Sequence, residues 1–129
     1  KDLGDLAAAR GNMERAIAIQ EKYFAADHPT LAVSYSNLAS IEHALGEFAA
    51  ARGNMERAIA IDEKHFAADH PTLATRYNNL AHIFVAENDR EGACANWRRA
   101  LAILRKHFND QHPYVRSVLG SLKASGCEG

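Results

Sequence analysis

The sequence predicts an all-α fold, a solenoid of antiparallel helix pairs with about six helices. Residues 1–42 and 43–84 are identical at 31 of 42 aligned positions, and a looser third copy keeps Ala100, His107 and His112 in register. Within each copy, apolar residues recur at the spacing of one face of a helix. A unit of this length cannot bury its apolar face alone, so it stacks on its neighbours.

Residues 29–45 predict the first helix of a unit. Asp27 or His28 can cap its start, and Pro29 follows at a position where its missing N–H costs nothing. The buried face comprises Leu31, Tyr35, Leu38, Ala39, Glu42 and Leu45. Gly46 ends the helix, and Asn88 does so in the next copy. Glu42 is the polar exception on this face, and we expect it to reach solvent at the edge of the helix pair.

The second helix of a unit is predicted from about Glu47 to Phe66. Its buried face comprises Phe48, Ala51, Met55, Ala58, Ile59 and Phe66. The dipeptide Gly53-Asn54 favours a turn. However, a glycine inside a helix costs only about 1 kcal/mol relative to alanine, and the apolar spacing continues through it. We therefore expect one helix.

The domain organisation follows from the repeat boundaries. We expect a single repeat array over 1–129, made of a half repeat 1–26, repeats 27–68 and 69–110, and a half repeat 111–129. Lys1 aligns with His43 in mid-repeat, so the chain is expected to be a fragment of a longer protein.

These positions resemble those of the tetratricopeptide repeat. The matching residues are Asn37-Leu38-Ala39, Gly46, Phe48, Ala51, Met55 and Ala58, and then Asn79-Leu80-Ala81, Asn88, Ala93, Trp97 and Ala100. The unit has 42 residues where the ordinary repeat has 34, and the extension from Ile61 to Pro71 resembles kinesin-light-chain-type repeats. Arg90 and Lys123 depart from the pattern, which indicates a terminal or degenerate third unit.

The resemblance implies a right-handed superhelix whose first helices line a concave, peptide-binding groove. The groove-facing positions would be Val33, Ser36, Asn37, Ser40 and His43, and then Thr75, Asn78, Asn79, His82 and Val85. Asn37 and Asn79 match the family's groove asparagine, whose amide can pair with a peptide backbone as donor and acceptor. The alternative is that these amides brace a neighbouring helix. The groove positions carry no Lys or Arg, so a clamp for a terminal carboxylate is not expected.

Several function classes are disfavoured by composition. A formal net charge of -1 gives no footprint for nucleic acid, and no apolar run approaches the roughly 18 residues of a membrane span. The sequence offers no nucleophile–base set and no phosphate-binding glycine loop, so we expect no enzyme and no cofactor. The seven histidines favour capping and surface roles over a metal site, because zinc needs about four ligands at one point.

The two cysteines, Cys94 and Cys127, lack metal-like spacing. We expect reduced thiols in a cytoplasmic protein, with a structural disulfide as the alternative.

Two functions remain in competition. The first is a scaffold that binds a peptide or partner protein in the groove. The second is a structural or sensor segment of a larger signalling protein, which packs on that protein's own domains or forms a homo-oligomer through its uncapped terminal helices. Those ends would expose Leu6, Met13 and Ile17 on one side and Val115, Leu119 and Leu122 on the other. The formal net charge is -3 over residues 1–84 and +3 over residues 85–126, so the two parts of the chain carry opposite charge.

Overall fold

The computed structural model describes residues 2–127, which contain six α-helices and no strand. The helices are α1 (Leu3–Tyr23), α2 (Pro29–Ala44), α3 (Phe48–His65), α4 (Pro71–Ala86), α5 (Arg90–His107) and α6 (Pro113–Ala124). The chain divides into two compact units between His65 and Phe66. We call α1–α3 the N-terminal unit and α4–α6 the C-terminal unit. The predicted helices are confirmed within a residue or two at each end.

Histidine caps the start of every first helix. The Nδ1 atoms of His28, His70 and His112 each accept a hydrogen bond at 3.1 Å from the backbone N–H two residues later. Each ring also stacks on the phenylalanine four residues before it, with ring centroids 3.9–4.2 Å apart. Of the two candidate caps at the first of these turns, the histidine is the one that is used.

The first helices end as the sequence predicts. Gly46 has a φ of +83° and Asn88 a φ of +62°, the left-handed conformation that closes a helix. The N–H of Glu47 reaches the carbonyl of Glu42 at 2.8 Å, and the N–H of Gly46 reaches that of His43 at 3.0 Å. This pair of bonds satisfies two carbonyls that the helix leaves without partners.

The core of the N-terminal unit lies around α2, which packs against both α1 and α3. Its buried members are Ile17, Leu31, Ala32, Tyr35, Leu38, Ala58 and Ile61, with Met13 packed against them. Helix α3 runs unbroken through Gly53, which confirms the prediction of one helix. Ala58 is fully buried in this core, so the alanine lets α2 and α3 approach closely.

In the C-terminal unit, α5 is the central helix and packs against both α4 and α6. Trp97 is its largest fully buried side chain. The expectation of two uncovered apolar ends is wrong for several of its residues. Ile17 of α1 and Val115 and Leu122 of α6 are buried inside their own units, because one neighbouring helix suffices to cover each stripe.

The expectation of two reduced thiols is also wrong. Cys94 and Cys127 form a disulfide with their Cα atoms 5.7 Å apart. They are 33 residues apart in sequence, and the packing of α6 on α5 brings the end of one helix to the start of the other. Spacing along the chain gave no sign of this contact.

No helix among residues 2–127 is both long enough and apolar enough to cross a membrane.

Candidate functional site

A cleft of about 360 Å³ opens in the C-terminal unit between α4 and α6, with α5 beneath it. We call it the α4–α6 cleft. It is lined by Ala74, Thr75, Asn78, Leu104, Tyr114, Ser117 and Val118. All three helices of this unit therefore contribute to it.

The cleft has an apolar floor and a polar rim. Ala74, Leu104 and Val118 are buried and supply the floor. Thr75 and Ser117 are exposed hydroxyl residues on the two walls. Such a surface suits an apolar side chain whose backbone needs hydrogen-bond partners at the edge.

Asn78 is the rim residue with a fixed orientation. Its Oδ1 accepts a hydrogen bond at 2.9 Å from Nε1 of Trp97, whose side chain is only 2% exposed. Since the indole N–H can only donate, this bond determines which end of the amide faces α5. The Nδ2 group of Asn78 is then a donor held at the rim of the cleft.

Tyr114 forms the outer edge of the cleft. It is 61% exposed, and its ring lies edge-on to Phe108 with centroids 5.7 Å apart. A large exposed ring held by packing provides contact area at low entropic cost, which is why tyrosine is common at binding surfaces.

The structure places the expected groove residues of α4 in different surroundings. Thr75 and Asn78 line the cleft, whereas Val85 lines a second recess with Asn88, Arg90, Ala124 and Ser125. His82 is exposed and lies edge-on to Trp97 at 5.3 Å. Asn79 is half-buried and lines neither recess.

On α2, Val33, Asn37 and Ser40 are exposed and His43 is half-buried. Ser36 departs from the expectation, because it is only 5% exposed and presents almost no surface to a ligand. The serine is short and lies against the body of its own unit. The longer Asn78 at the matching position reaches the rim.

Sequence reasoning missed the residues that α5 and α6 contribute, namely Leu104, Tyr114, Ser117 and Val118. A signal for Ser117 was present, because it follows Thr75 by the repeat length of 42 residues. The predicted groove-facing residues came only from the first helices at 29–45 and 71–86, and the third copy was left out.

The N-terminal unit has a more polar cleft of about 290 Å³, lined by Glu14, Ile17, Ala18, Glu21, Tyr35, Leu38, Glu42, Asn54 and Arg57. The hydroxyl of Tyr35 donates to Glu21 at 2.7 Å. The guanidinium of Arg57 lies 5.3 Å above the centre of the Tyr35 ring. These contacts account for much of its polar lining.

Glu42 also lines this cleft. The expectation that its side chain reaches solvent is wrong. It is 5% exposed, and its Oε1 accepts a 2.7 Å hydrogen bond from Nδ2 of Asn54. Burial raises the pKa of the Glu42 carboxyl, and the Asn54 bond offsets part of that effect. The negative charges of Glu47 and Glu14 raise the pKa further.

Two histidines near the ends of second helices make local hydrogen bonds. Nε2 of His65 donates to the carbonyl of Asp27 at 2.6 Å, and that of His107 to the carbonyl of Asp69 at 2.7 Å. Within residues 2–127, no group of three or more His, Cys, Asp or Glu side chains is arranged to hold a metal ion.

Comparison with protein families gives two matches, both to tetratricopeptide repeat models, over residues 1–64 and 73–114. A search of curated proteins finds no match.

Among solved structures, the chain is similar to a protein assigned to the kinesin light chains of Podosopora anserina, with nearly identical TPR-like repeats. The identity is 25%, the TM-score is 0.79, and the match covers 95% of this chain and 58% of that one. A single-substitution variant of that protein matches with a TM-score of 0.81.

The chain is also similar to BtubC (BKLC) from P. vanneervenii, at 26% identity and a TM-score of 0.81, over 95% of this chain and 48% of that one. The chain thus spans about half the length of these structures. The matches confirm the predicted fold class, an all-α repeat fold of antiparallel helix pairs.

Proposed function

Because the chain belongs to the tetratricopeptide repeat family, whose repeats mediate contacts between proteins, we propose that it is an interaction scaffold that binds a peptide segment of a partner protein. The binding site is the α4–α6 cleft, which includes Thr75 and Asn78 of the expected groove.

The observation that carries this proposal is the donor of Asn78 held beside an apolar floor. In an extended peptide, successive side chains point to opposite sides. One apolar side chain enters the cleft and contacts Leu104 and Val118. The carbonyl beside it then accepts a hydrogen bond from Nδ2 of Asn78, whose Oδ1 is occupied by Trp97. This arrangement recognises peptide backbone together with an apolar anchor.

The residues that line the α4–α6 cleft indicate which charge the bound side chain carries. The α4–α6 cleft contains no Lys, Arg, Asp or Glu among the residues that line it. A neutral apolar anchor such as leucine, isoleucine or methionine is therefore preferred over a phosphorylated or carboxylate-terminated one. The exposed Asn37 and Val33 of α2 offer a separate surface for partner contact.

The test begins with a random-sequence peptide library selected on the immobilised oxidised protein. The affinity of a selected peptide is then measured for Ser117→Tyr, which fills the cleft from an exposed position of α6. The control is Ala102→Tyr, an exposed position of α5 that does not line the cleft. We expect Ser117→Tyr to weaken binding at least about tenfold, because the anchor is excluded, and Ala102→Tyr to have little effect. Equal affinities for the two variants would contradict the proposal.

Self-association is the second candidate, and it rests on exposed apolar residues of α1. Ile19 and Tyr23 are large, exposed and four residues apart on one face of α1, and adjacent exposed apolar side chains favour contact with another element. Light scattering across a concentration series tests it, with a mass above 14.1 kDa as the expected result. A monomer at all concentrations would contradict it.

The remaining assignments belong to the same proposal. The chain acts without catalysis, and its partners are proteins, not nucleic acid or membrane. We also place it in the cytoplasm, where disulfides are rare and those that form are usually transient and catalytic or redox-sensing.

A further inference from the structure

The Cys94–Cys127 disulfide joins two helices at the end of the C-terminal unit. Cys94 lies in the second turn of α5, and Cys127 follows the end of α6. The backbone N–H of Cys127 bonds the carbonyl of Leu122 at 2.9 Å, and that of Gly126 bonds the carbonyl of Lys123 at 3.1 Å. Gly126 has the left-handed φ of +72° that this helix ending requires. The disulfide is therefore attached directly after the ordered C-terminal end of α6.

Apart from this bond, α6 is held weakly. It has 12 residues, a length at which an isolated helix is marginal in water. It packs mainly against α5, through the three buried residues Val115, Val118 and Leu122. The disulfide adds a covalent tether that keeps α6 near this surface and removes most of the freedom it would gain on leaving.

Helix α6 also forms one wall of the α4–α6 cleft. Tyr114, Ser117 and Val118 all belong to it, and they face Ala74 and Thr75 of α4 in the lining. If α6 leaves α5, the cleft loses that wall together with part of its floor. Formation of the cleft is thus linked to the state of the two cysteines.

We propose that the Cys94–Cys127 disulfide is a redox switch that holds α6 in place and keeps the α4–α6 cleft formed, and that a dithiol reductant opens it. The effect on ligand affinity rests on the function proposed above. The effect on α6 itself does not.

The chemistry is thiol–disulfide exchange. Cys94 is buried, whereas Cys127 is half-buried at the helix end, so the thiolate of the reductant attacks Sγ of Cys127. The S–S bond breaks, Cys94 leaves as a thiolate that takes up a proton, and a mixed disulfide forms on Cys127. The second thiol of the reductant attacks its own sulfur in this mixed disulfide and releases the Cys127 thiolate, which is protonated in turn. The protein gains two electrons and two protons, and the dithiol becomes a cyclic disulfide.

The first arm of the test measures amide hydrogen exchange with and without dithiothreitol. We expect the amides of α6 to exchange at least about 30-fold faster in the reduced protein, the factor that corresponds to the lower end of typical disulfide stabilisation. Helices α1–α3 are the internal control, because the sequence has no cysteine there. The variant Cys127→Ser should show fast α6 exchange with or without the reductant. If α6 exchanges equally fast in oxidised and reduced protein, the proposal is overturned.

The second arm measures the affinity of a peptide selected on the oxidised protein. Apparent affinity falls with the fraction of molecules in the binding-competent state, so we expect reduction to weaken binding by about tenfold or more. If reduction speeds exchange in α6 but leaves the peptide affinity unchanged, the peptide does not bind in the α4–α6 cleft. The claim that the disulfide holds α6 in place would still be supported. If reduction leaves amide exchange in α6 unchanged while Ser117→Tyr still weakens peptide binding, the redox switch is contradicted and the binding function remains supported.

Discussion

The indole N–H of Trp97 on α5 donates a 2.9 Å hydrogen bond to the side-chain oxygen of Asn78 on α4. One repeat earlier the matching positions hold Met55 and Ser36. Both members of the pair therefore differ between the helix pair α2–α3 and the helix pair α4–α5. A buried indole requires an acceptor and a methionine does not, which gives a physical reason for the two differences to occur together.

This pairing predicts strong coupling between Asn78 and Trp97. Asn78→Ala should cost about 1–3 kcal/mol of unfolding free energy, because it leaves the buried indole N–H without an acceptor. In a Trp97→Met background the same change should cost less than about 0.5 kcal/mol. Urea titrations of the four proteins of this cycle measure the difference. Equal costs in the two backgrounds would show that the hydrogen bond has no energetic role.

Phe84 and Gly92 form a second pair that differs between repeats, where the earlier copy has Glu42 and Ala50. A Cβ atom on Gly92 would lie 3.0 Å from the Phe84 ring and 2.9 Å from the carboxylate of Asp89. We expect Gly92→Ala to destabilise the protein by about 1–2 kcal/mol, because the overlap outweighs the better helix propensity.

Gly53→Ala is the matched control, since a Cβ there meets no atom within 4 Å. It should stabilise the protein by about 0.5–1 kcal/mol, because alanine favours a helix interior. Thermal unfolding measures the change in melting temperature for both variants, and the two changes should have opposite signs. Changes of the same sign would contradict the packing described for Phe84.

Glu42 predicts a pH-dependent effect on stability. Its pKa is raised, chiefly by burial, so the folded state binds a proton more readily than the unfolded state and the ionised form destabilises the fold. That cost is fully present above the raised pKa and disappears as the pH falls below the ordinary value of about 4.3. Glu42→Gln keeps the acceptor for Asn54 and should be more stable than wild type at pH 7.

The advantage of Glu42→Gln should disappear by about pH 4. The comparison is a series of urea titrations from pH 4 to pH 7, with the exposed Glu56→Gln as control. A constant difference across this range would show that ionisation of Glu42 is not the cause.

Ala58 tests the phase of α3. It is fully buried between helices, whereas Ala60 is exposed on the same helix. Ala58→Leu should overpack the contact at a cost of about 1–3 kcal/mol, and Ala60→Leu should change stability by less than about 0.5 kcal/mol. Similar losses at the two positions in a urea titration would overturn the assignment of the buried face.

Local signals made the helices predictable. Proline at the first helical position, glycine or asparagine beyond the last, and the repeat of 42 residues fixed the bounds of α2 and α4. The Cys94–Cys127 bond and the burial of Glu42 were not predictable in this way. Both depend on which side chains meet when helices pack, and periodicity along one helix carries no information about that contact.

The candidate site was predictable in part for the same reason. The helix face that contains Thr75 and Asn78 followed from the spacing of apolar residues. Tyr114 and Ser117 were missed, because they belong to the divergent third copy. Ser36 was misplaced, because a serine and an asparagine at one register position reach different depths.

The most direct test of the account is a titration of ¹⁵N-labelled oxidised protein with a peptide from the library selection. If the α4–α6 cleft is the binding site, chemical-shift changes should concentrate on the backbone amides of Thr75 and Ser117 and on the side-chain amide of Asn78, and the indole N–H of Trp97 should shift with them. Changes confined to α1 and α3, with these four signals unmoved, would contradict the assignment of the site.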